Sequence, residues 1–186
     1  MVAVRPNARI SIAALVTIAG AMILVASFPA AAQAKPCERN GDARPTEISA
    51  KDARRAVTCL INHERDQRGK AKLGGDGRLH EAARDHSRRM ADRNCFSHKC
   101  RGERSVLGRL EKVRYIVSGL SRWSYGENIA WGESSRGTPR AIVNAWMNSP
   151  GHRANILNGT FRDVGVGFDR DGDRGYYTAD FGLRVG

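Results

Sequence analysis

Ala53, Val57, Leu60 and Ile61 recur three and four residues apart. This spacing predicts an amphipathic helix that opens on the capping hydroxyl of Ser49 and runs to about Arg68, where Gly69 stops it. Leu79, Ala82, Ala83, His86, Met90 and Ala91 repeat the pattern over roughly Arg78 to Asn94. His86 falls on that apolar stripe and reads as a packing histidine, whereas His63 and His80 read as surface residues. A weaker helix covers about Glu103 to Val113, with Val106, Leu107 and Leu110 inward. Thr138-Pro139 is a strong helix start, a capping hydroxyl followed by proline at the first helical position. Ile142, Ala145 and Trp146 supply that helix's apolar face, Pro150-Gly151 stops it, and a further helical turn is expected over His152 to Leu157. The period then changes from 3.6 to 2. Val164, Val166 and Phe168 alternate with Gly and Asp, and Tyr177, Ala179 and Phe181 alternate after them, so two strands flank a turn at Asp169 to Asp173. An extended segment is expected near Trp123 to Trp131. The order argues for an α+β fold, a small antiparallel sheet covered by helices.

Two glycine-rich or acidic stretches invite sharper readings and resist them. Leu73-Gly74-Gly75-Asp76-Gly77 lacks the Gly-Lys-Ser/Thr ending of a phosphate loop and any preceding strand, so it reads as a turn. Asp169 to Asp173 has Gly misplaced for a calcium-binding loop and no closing Glu. Tyr125, Trp131 and Trp146 are expected in the core.

The N-terminus adds a targeting segment. Arg5 and Arg9 precede an apolar run from Ile10 to Phe28, and Ala32-Gln33-Ala34 forms a small-x-small cleavage site. Residues 1–34 therefore read as a signal peptide cleaved after Ala34. An uncleaved anchor is the alternative, disfavoured by Pro29 and the alanines after it. A lipid-attachment reading fails because Ala34-Lys35-Pro36-Cys37 lacks the small apolar residues such a site needs. Residues 35–47 read as a polar arm and 48–186 as one domain with a single core. No stable membrane span is expected once the signal is removed.

Export changes the meaning of the four cysteines. Cys37, Cys59, Cys95 and Cys100 are an even number in an oxidising compartment, so two disulfides are expected. Three pairings are possible. The favoured one joins Cys95 to Cys100, closing a short loop around His98, and Cys37 to Cys59, tying the arm to the first helix. The spacings match no zinc cluster. Lys and Arg number 31 against 19 Asp and Glu, a formal charge of +12. Two of those arginines lie in the signal segment, leaving +10 on the rest. Such a protein is drawn to anionic surfaces such as envelope polymers or lipids. Nucleic acid is not the expected partner, because the basic residues are scattered rather than interleaved with aromatics in a reading motif.

The residues with candidate chemistry come from three separated segments: Phe96-Ser97-His98, Gly126-Glu127-Asn128-Ile129, and Ser149-Pro150-Gly151-His152-Arg153-Ala154-Asn155-Ile156-Leu157. With Asn62-His63-Glu64-Arg65, Val164-Gly165-Val166-Gly167 and Tyr176-Tyr177-Thr178-Ala179-Asp180-Phe181-Gly182, and in this order, they resemble the CAP superfamily, specifically its bacterial secreted branch. The resemblance spans about Val57 to Phe181. It implies an α-β-α sandwich with a central cleft of two His and two Glu that sometimes binds a divalent metal. His98 matches the first His and Glu127 the first Glu. Ser149 stands where many members carry the second Glu. The second His is expected near Phe161 to Gly165, where this chain has none, so His152 is the branch's own histidine. The candidate cleft is therefore His98, Glu127, Ser149, His152 and Asn155, with Asn155 and Arg153 organising the loop around His152. His98, His152 and Glu127 are the candidate ligands for a zinc ion. Glu127 as a backbone brace and His152 as a structural cap are the plainer alternatives.

Three functions follow. The first is a secreted module that binds a lipid, a polysaccharide or another envelope component. The second is a metal-assisted hydrolase, protease-like or cell-wall acting, with Glu127 as general base and His98 and His152 orienting water or metal. The third is a host-interaction protein acting through another surface. No serine nucleophile elbow or free cysteine nucleophile is present to support covalent catalysis.

Overall fold

The computed structural model describes residues 37–186, and the signal segment lies outside the described residues. The elements run α1 (Glu38–Gly41), α2 (Ala50–Asp66), β1 (Gly74–Gly75), α3 (Gly77–Asp92), α4 (Val106–Lys112), β2 (Arg122–Glu133), a 3-10 turn (Ser134–Gly137), α5 (Pro139–Asn148), α6 (Pro150–Leu157), β3 (Asp163–Asp171) and β4 (Arg174–Val185). Ser49 and Thr138 cap α2 and α5 as expected, accepting from the backbone N–H of Asp52 and Ala141. The cap of α3 is Asp76, whose Oδ1 accepts from the N–H of Arg78 at 2.8 Å and of Leu79 at 3.2 Å. The glycine turn before it is also more than a turn, because Gly74-Gly75 pairs in parallel with β3.

The sheet order is β1-β3-β4-β2, antiparallel apart from that short first strand, with β2 at an edge. Strand alternation sends side chains to two faces. Val164, Val166, Phe168, Tyr177, Ala179 and Phe181 pack with Val57, Ile61, Ile142 and Trp146 from α2 and α5. The opposite face receives α3. There, a Cβ on Gly165 would lie 2.1 Å from the backbone of Leu79 and His80, and one on Gly167 would lie 2.1 Å from the carbonyl of Ala83. The glycines that alternate with valine are what let α3 lie directly on β3. The result is an α-β-α sandwich.

Cys37–Cys59 and Cys95–Cys100 are both bonded, with Cα separations of 5.8 and 6.1 Å. The first bond and an Arg140–Asp42 ion pair at 2.9 Å pin the arm before α2 against the body, as a bridged Cys37 implies. His80 is half-buried rather than on the surface, with Nδ1 2.7 Å from the carbonyl of Val166. Ala145 is exposed, and Val143 and Met147 complete the buried face of α5 in its place. Trp146 is buried and donates from Nε1 to the carbonyl of Ile129 at 3.1 Å. Trp131 and Tyr125, also expected in the core, lie on edge strand β2 and are 44% and 37% exposed. Among the described residues no helix is long and apolar enough to cross a membrane.

Candidate functional site

The site forms where β2, the edge strand, meets the loop between α3 and α4. Glu127 sits on β2 facing the α3 side and is almost fully buried. His98 reaches it from the loop that Cys95–Cys100 closes, with Nδ1 2.7 Å from Glu127 Oε1. A carboxylate only accepts, so His98 Nδ1 carries a proton and Nε2 is the ring's remaining nitrogen. The side chain of His98 is 54% exposed. The second oxygen of Glu127 accepts a hydrogen bond from Arg109 Nη2. Arg109 also donates from Nη1 to the His98 carbonyl at 2.9 Å. One guanidinium thus fixes both the carboxylate and the backbone of its histidine partner. Glu127 takes side-chain donors, not the backbone N–H groups of a simple brace.

Behind this pair lie charges that the sequence did not single out. Glu103 accepts from the Cys100 N–H at 3.2 Å and is 3.0 Å from Nδ1 of fully buried His86. Packing is therefore only part of the role of His86. Asp180 on β4 is the direct cross-strand partner of Glu127 and has no solvent exposure. Directly opposed residues share a sheet face, with Cβ atoms about 5 Å apart. With both carboxyls ionised, neither has a proton to donate, and both oxygens of Asp180 would lack a partner. One proton between them resolves this. Burial first, and then the charge of Glu127, push Asp180 well above the carboxylate range, which favours its protonated form beside the ionised Glu127. Burial would also raise Glu127, but the His98 hydrogen bond and the Arg109 charge outweigh it and keep Glu127 below its usual value. The same hydrogen bond raises His98.

Asp180→Asn is accordingly expected to stabilise the protein at neutral pH. Above 3.8 the unfolded chain releases the Asp180 proton while the folded chain keeps it, so stability falls as pH rises, by about 1.4 kcal/mol per unit. Asparagine removes this penalty, so the variant is expected to gain stability at pH 7 and little at pH 4. Urea unfolding at the two pH values checks it. An equal loss of stability at both would mean that Asp180 is ionised in the fold.

The remaining candidates arrive from the other face. Asn128, fully buried, donates from Nδ2 to the carbonyl of His152 at 3.0 Å. Asn155 donates to Asn128 Oδ1 at 2.9 Å and to the Glu127 carbonyl at 3.3 Å, which sutures α6 to β2. Among the described residues His152 forms no hydrogen bond or ion pair with Glu127. Burial lowers its pKa, and repulsion from His98 lowers it further. Ser149 serves as the joint between α5 and α6, its carbonyl accepting from the Arg153 N–H at 2.8 Å. The structure therefore joins His98 to Glu127 directly and ties Asn155 to the Glu127 backbone.

Signals for the missed residues were present. Arg109 lies three residues after Val106 on the inward face of α4, and Asp180 interrupts an apolar strand.

Among the described residues no three His, Cys, Asp or Glu side chains are grouped to hold a metal ion. Glu127 has both oxygens committed, one of them to a guanidinium, so His98, His152 and Glu127 as arranged do not fit a divalent cation.

Comparison with known proteins agrees with this architecture. Residues 59–181 match the family model for the cysteine-rich secretory protein family, CAP. The uncharacterized protein YkwD of Bacillus subtilis is 38% identical over 128 residues, which cover 69% of this chain and 46% of that protein. The chain thus spans less than half of that relative's length. An extracellular protein with an SCP domain from Bacillus anthracis superposes with a TM-score of 0.61 at 29% identity, over 74% of this chain and 42% of that one. An outer surface protein of Borrelia burgdorferi shares the fold, with a TM-score of 0.61 at 21% identity over 74% of this chain and 96% of its own. With the sandwich, the bonded cysteines and these matches together, this chain belongs to the CAP family of cysteine-rich secretory proteins.

Proposed function

We propose that the protein is an exported binding module that holds a polysaccharide of the cell envelope along the open edge of its sheet. The observation that carries this reading is the line of aromatic rings on β2. Trp123, Tyr125 and Trp131 are 43%, 37% and 44% exposed and occupy alternate positions on the face that also bears Glu127. Trp123 and Tyr125 stack with ring centroids 6.1 Å apart. Arg174 steadies Trp131, its guanidinium carbon 4.6 Å from the ring centroid. From Trp123 to Trp131 the strand extends about 26 Å, room for several sugar rings. Flat aromatic faces accept the C–H faces of sugars, and exposed rings in a row mark a surface kept free for a ligand. His98, its side chain 54% exposed and held by Glu127, supplies a polar group beside this strand to set the orientation of hydroxyls. Two disulfides and an extracellular relative support export.

A catalytic reading has one observation in its favour. With its Nδ1 proton held by Glu127, His98 can offer Nε2 as a general base, which reverses the roles expected from the sequence. It requires no metal.

The test is binding of the secreted protein to purified envelope polysaccharide, with anionic lipid vesicles as the competing arm. Trp123→Ala/Tyr125→Ala is expected to weaken polysaccharide binding about tenfold or more, since two stacked rings contribute well over 1.4 kcal/mol. Unchanged affinity in the variant, or wild-type binding to vesicles alone, defeats the reading. Release of new reducing ends in the same assay would favour the catalytic one.

A further inference from the structure

A cavity of about 530 Å³ opens between α3, the 102–104 loop and α4, and Arg109, the partner of Glu127, is part of its lining. Six cations line it: Arg88, Arg89, Arg93, Arg104, Arg109 and Lys112. Three acids face them. Asp85 is already paired with Arg84 at 2.9 Å and lies 3.6 Å from Arg88. Glu103 is engaged by His86, Arg89 and Arg109. Asp92 is the third. Six cations against three acids leave the lining at +3. Arg93, Arg104 and Lys112 form no ion pair among the described residues.

A second feature marks this as a site and not a solvated basic face. Arg109 is 95% buried, lines the cavity and carries an Nε–H with no hydrogen-bond acceptor among the described residues. A buried orphan donor on a guanidinium costs free energy that a bound oxyanion recovers. A single chloride or carboxylate leaves much of the +3 unbalanced, and the volume exceeds that of a lone phosphate while matching small-ligand sites. We infer that the cavity between α3 and α4 is a binding site for a phosphate-bearing sugar, either free or as a unit of a phosphorylated polymer, with Arg109 at its inner wall and Arg93 and Lys112 at its mouth. The inference does not rest on the aromatic edge and survives its failure.

Calorimetric titration of the secreted protein with a hexose phosphate, the unphosphorylated hexose and inorganic phosphate tests it. Saturable binding of the hexose phosphate is expected, tighter than inorganic phosphate and absent with the plain hexose. Arg93→Ala/Lys112→Ala, an exposed pair outside the His98–Glu127 site, is expected to weaken it at least tenfold with an unchanged melting curve. Arg54→Ala/Arg55→Ala removes the same charge from α2 and is expected to leave it intact. Equal loss in both variants would reduce the site to diffuse surface charge, and absence of saturable binding at millimolar hexose phosphate would remove it. Displacement of the hexose phosphate by a phosphate-bearing envelope polymer assigns the polymer as the source. Persistence of binding against that polymer assigns the free sugar phosphate.

Discussion

Arg109→Ala is expected to cost about 3–5 kcal/mol of stability, because it leaves the buried carboxylate of Glu127 without its guanidinium. For a domain of this size that lowers the melting midpoint by about 10 °C. Arg109 also holds the carbonyl of His98, so the loop bearing that histidine loses its anchor with the same substitution. The pH dependence has a definite sign. Glu127 is held below its ordinary value of 4.5, so its stabilisation is present above 4.5 and is lost as pH falls through the depressed folded value. Without Arg109 that depression shrinks, Glu127 protonates at higher pH, and the acid limb of the stability profile moves upward. Glu127→Gln in the Arg109→Ala background removes the stranded charge and is expected to restore part of the loss. Thermal melts of the single and double variants between pH 4 and 8 check this. A double variant no more stable than Arg109→Ala would mean that the arginine acts through packing and not through the carboxylate.

Gly167→Ala is expected to be at least as damaging, at more than about 3 kcal/mol. Its new Cβ would meet the carbonyl of Ala83 at 2.1 Å, and backbone cannot rotate away as a side chain can. Helix α3 would have to lift from β3, carrying His86 away from Glu103 and opening the floor of the site. Gly77→Ala, at the start of the same helix with no atom within 4 Å of the added methyl, serves as the control. It is expected to be neutral or slightly stabilising, since glycine in a helix costs about 0.5–1 kcal/mol relative to alanine. Urea midpoints of the two variants decide the matter, and equal destabilisation by both would mean that helix propensity and not the close approach controls this interface.

These two positions show how far the chain could be read without its fold. The alternation Val164-Gly165-Val166-Gly167 announced a strand, and the valines indeed face the α2 and α5 core. The reason for glycine at the intervening positions was invisible, because it is the backbone of a helix some eighty residues upstream. Arg109 is the same case in electrostatic form. Its place among Val106 and Leu110 was legible as an inward position, but not the carboxylate it meets, because that depends on where β2 passes. Tyr125 and Trp131 went wrong for a related reason. An alternating aromatic strand looks the same whether it is central or at an edge, and only the sheet order leaves this one uncovered.

Local sequence therefore determined helices α2 to α6, the caps Ser49 and Thr138, and the two C-terminal strands. Apolar period, capping chemistry and motif order are properties of neighbouring residues. Tertiary structure alone decided that β2 is an edge, that Asp180 is buried directly opposite Glu127, that Arg109 joins the site to a basic cavity, and that the carbonyl of His152 is held by Asn128. Each of those depends on strand register and helix placement, which bring distant charges within bonding range, and neither the 3.6 nor the 2 period encodes that distance.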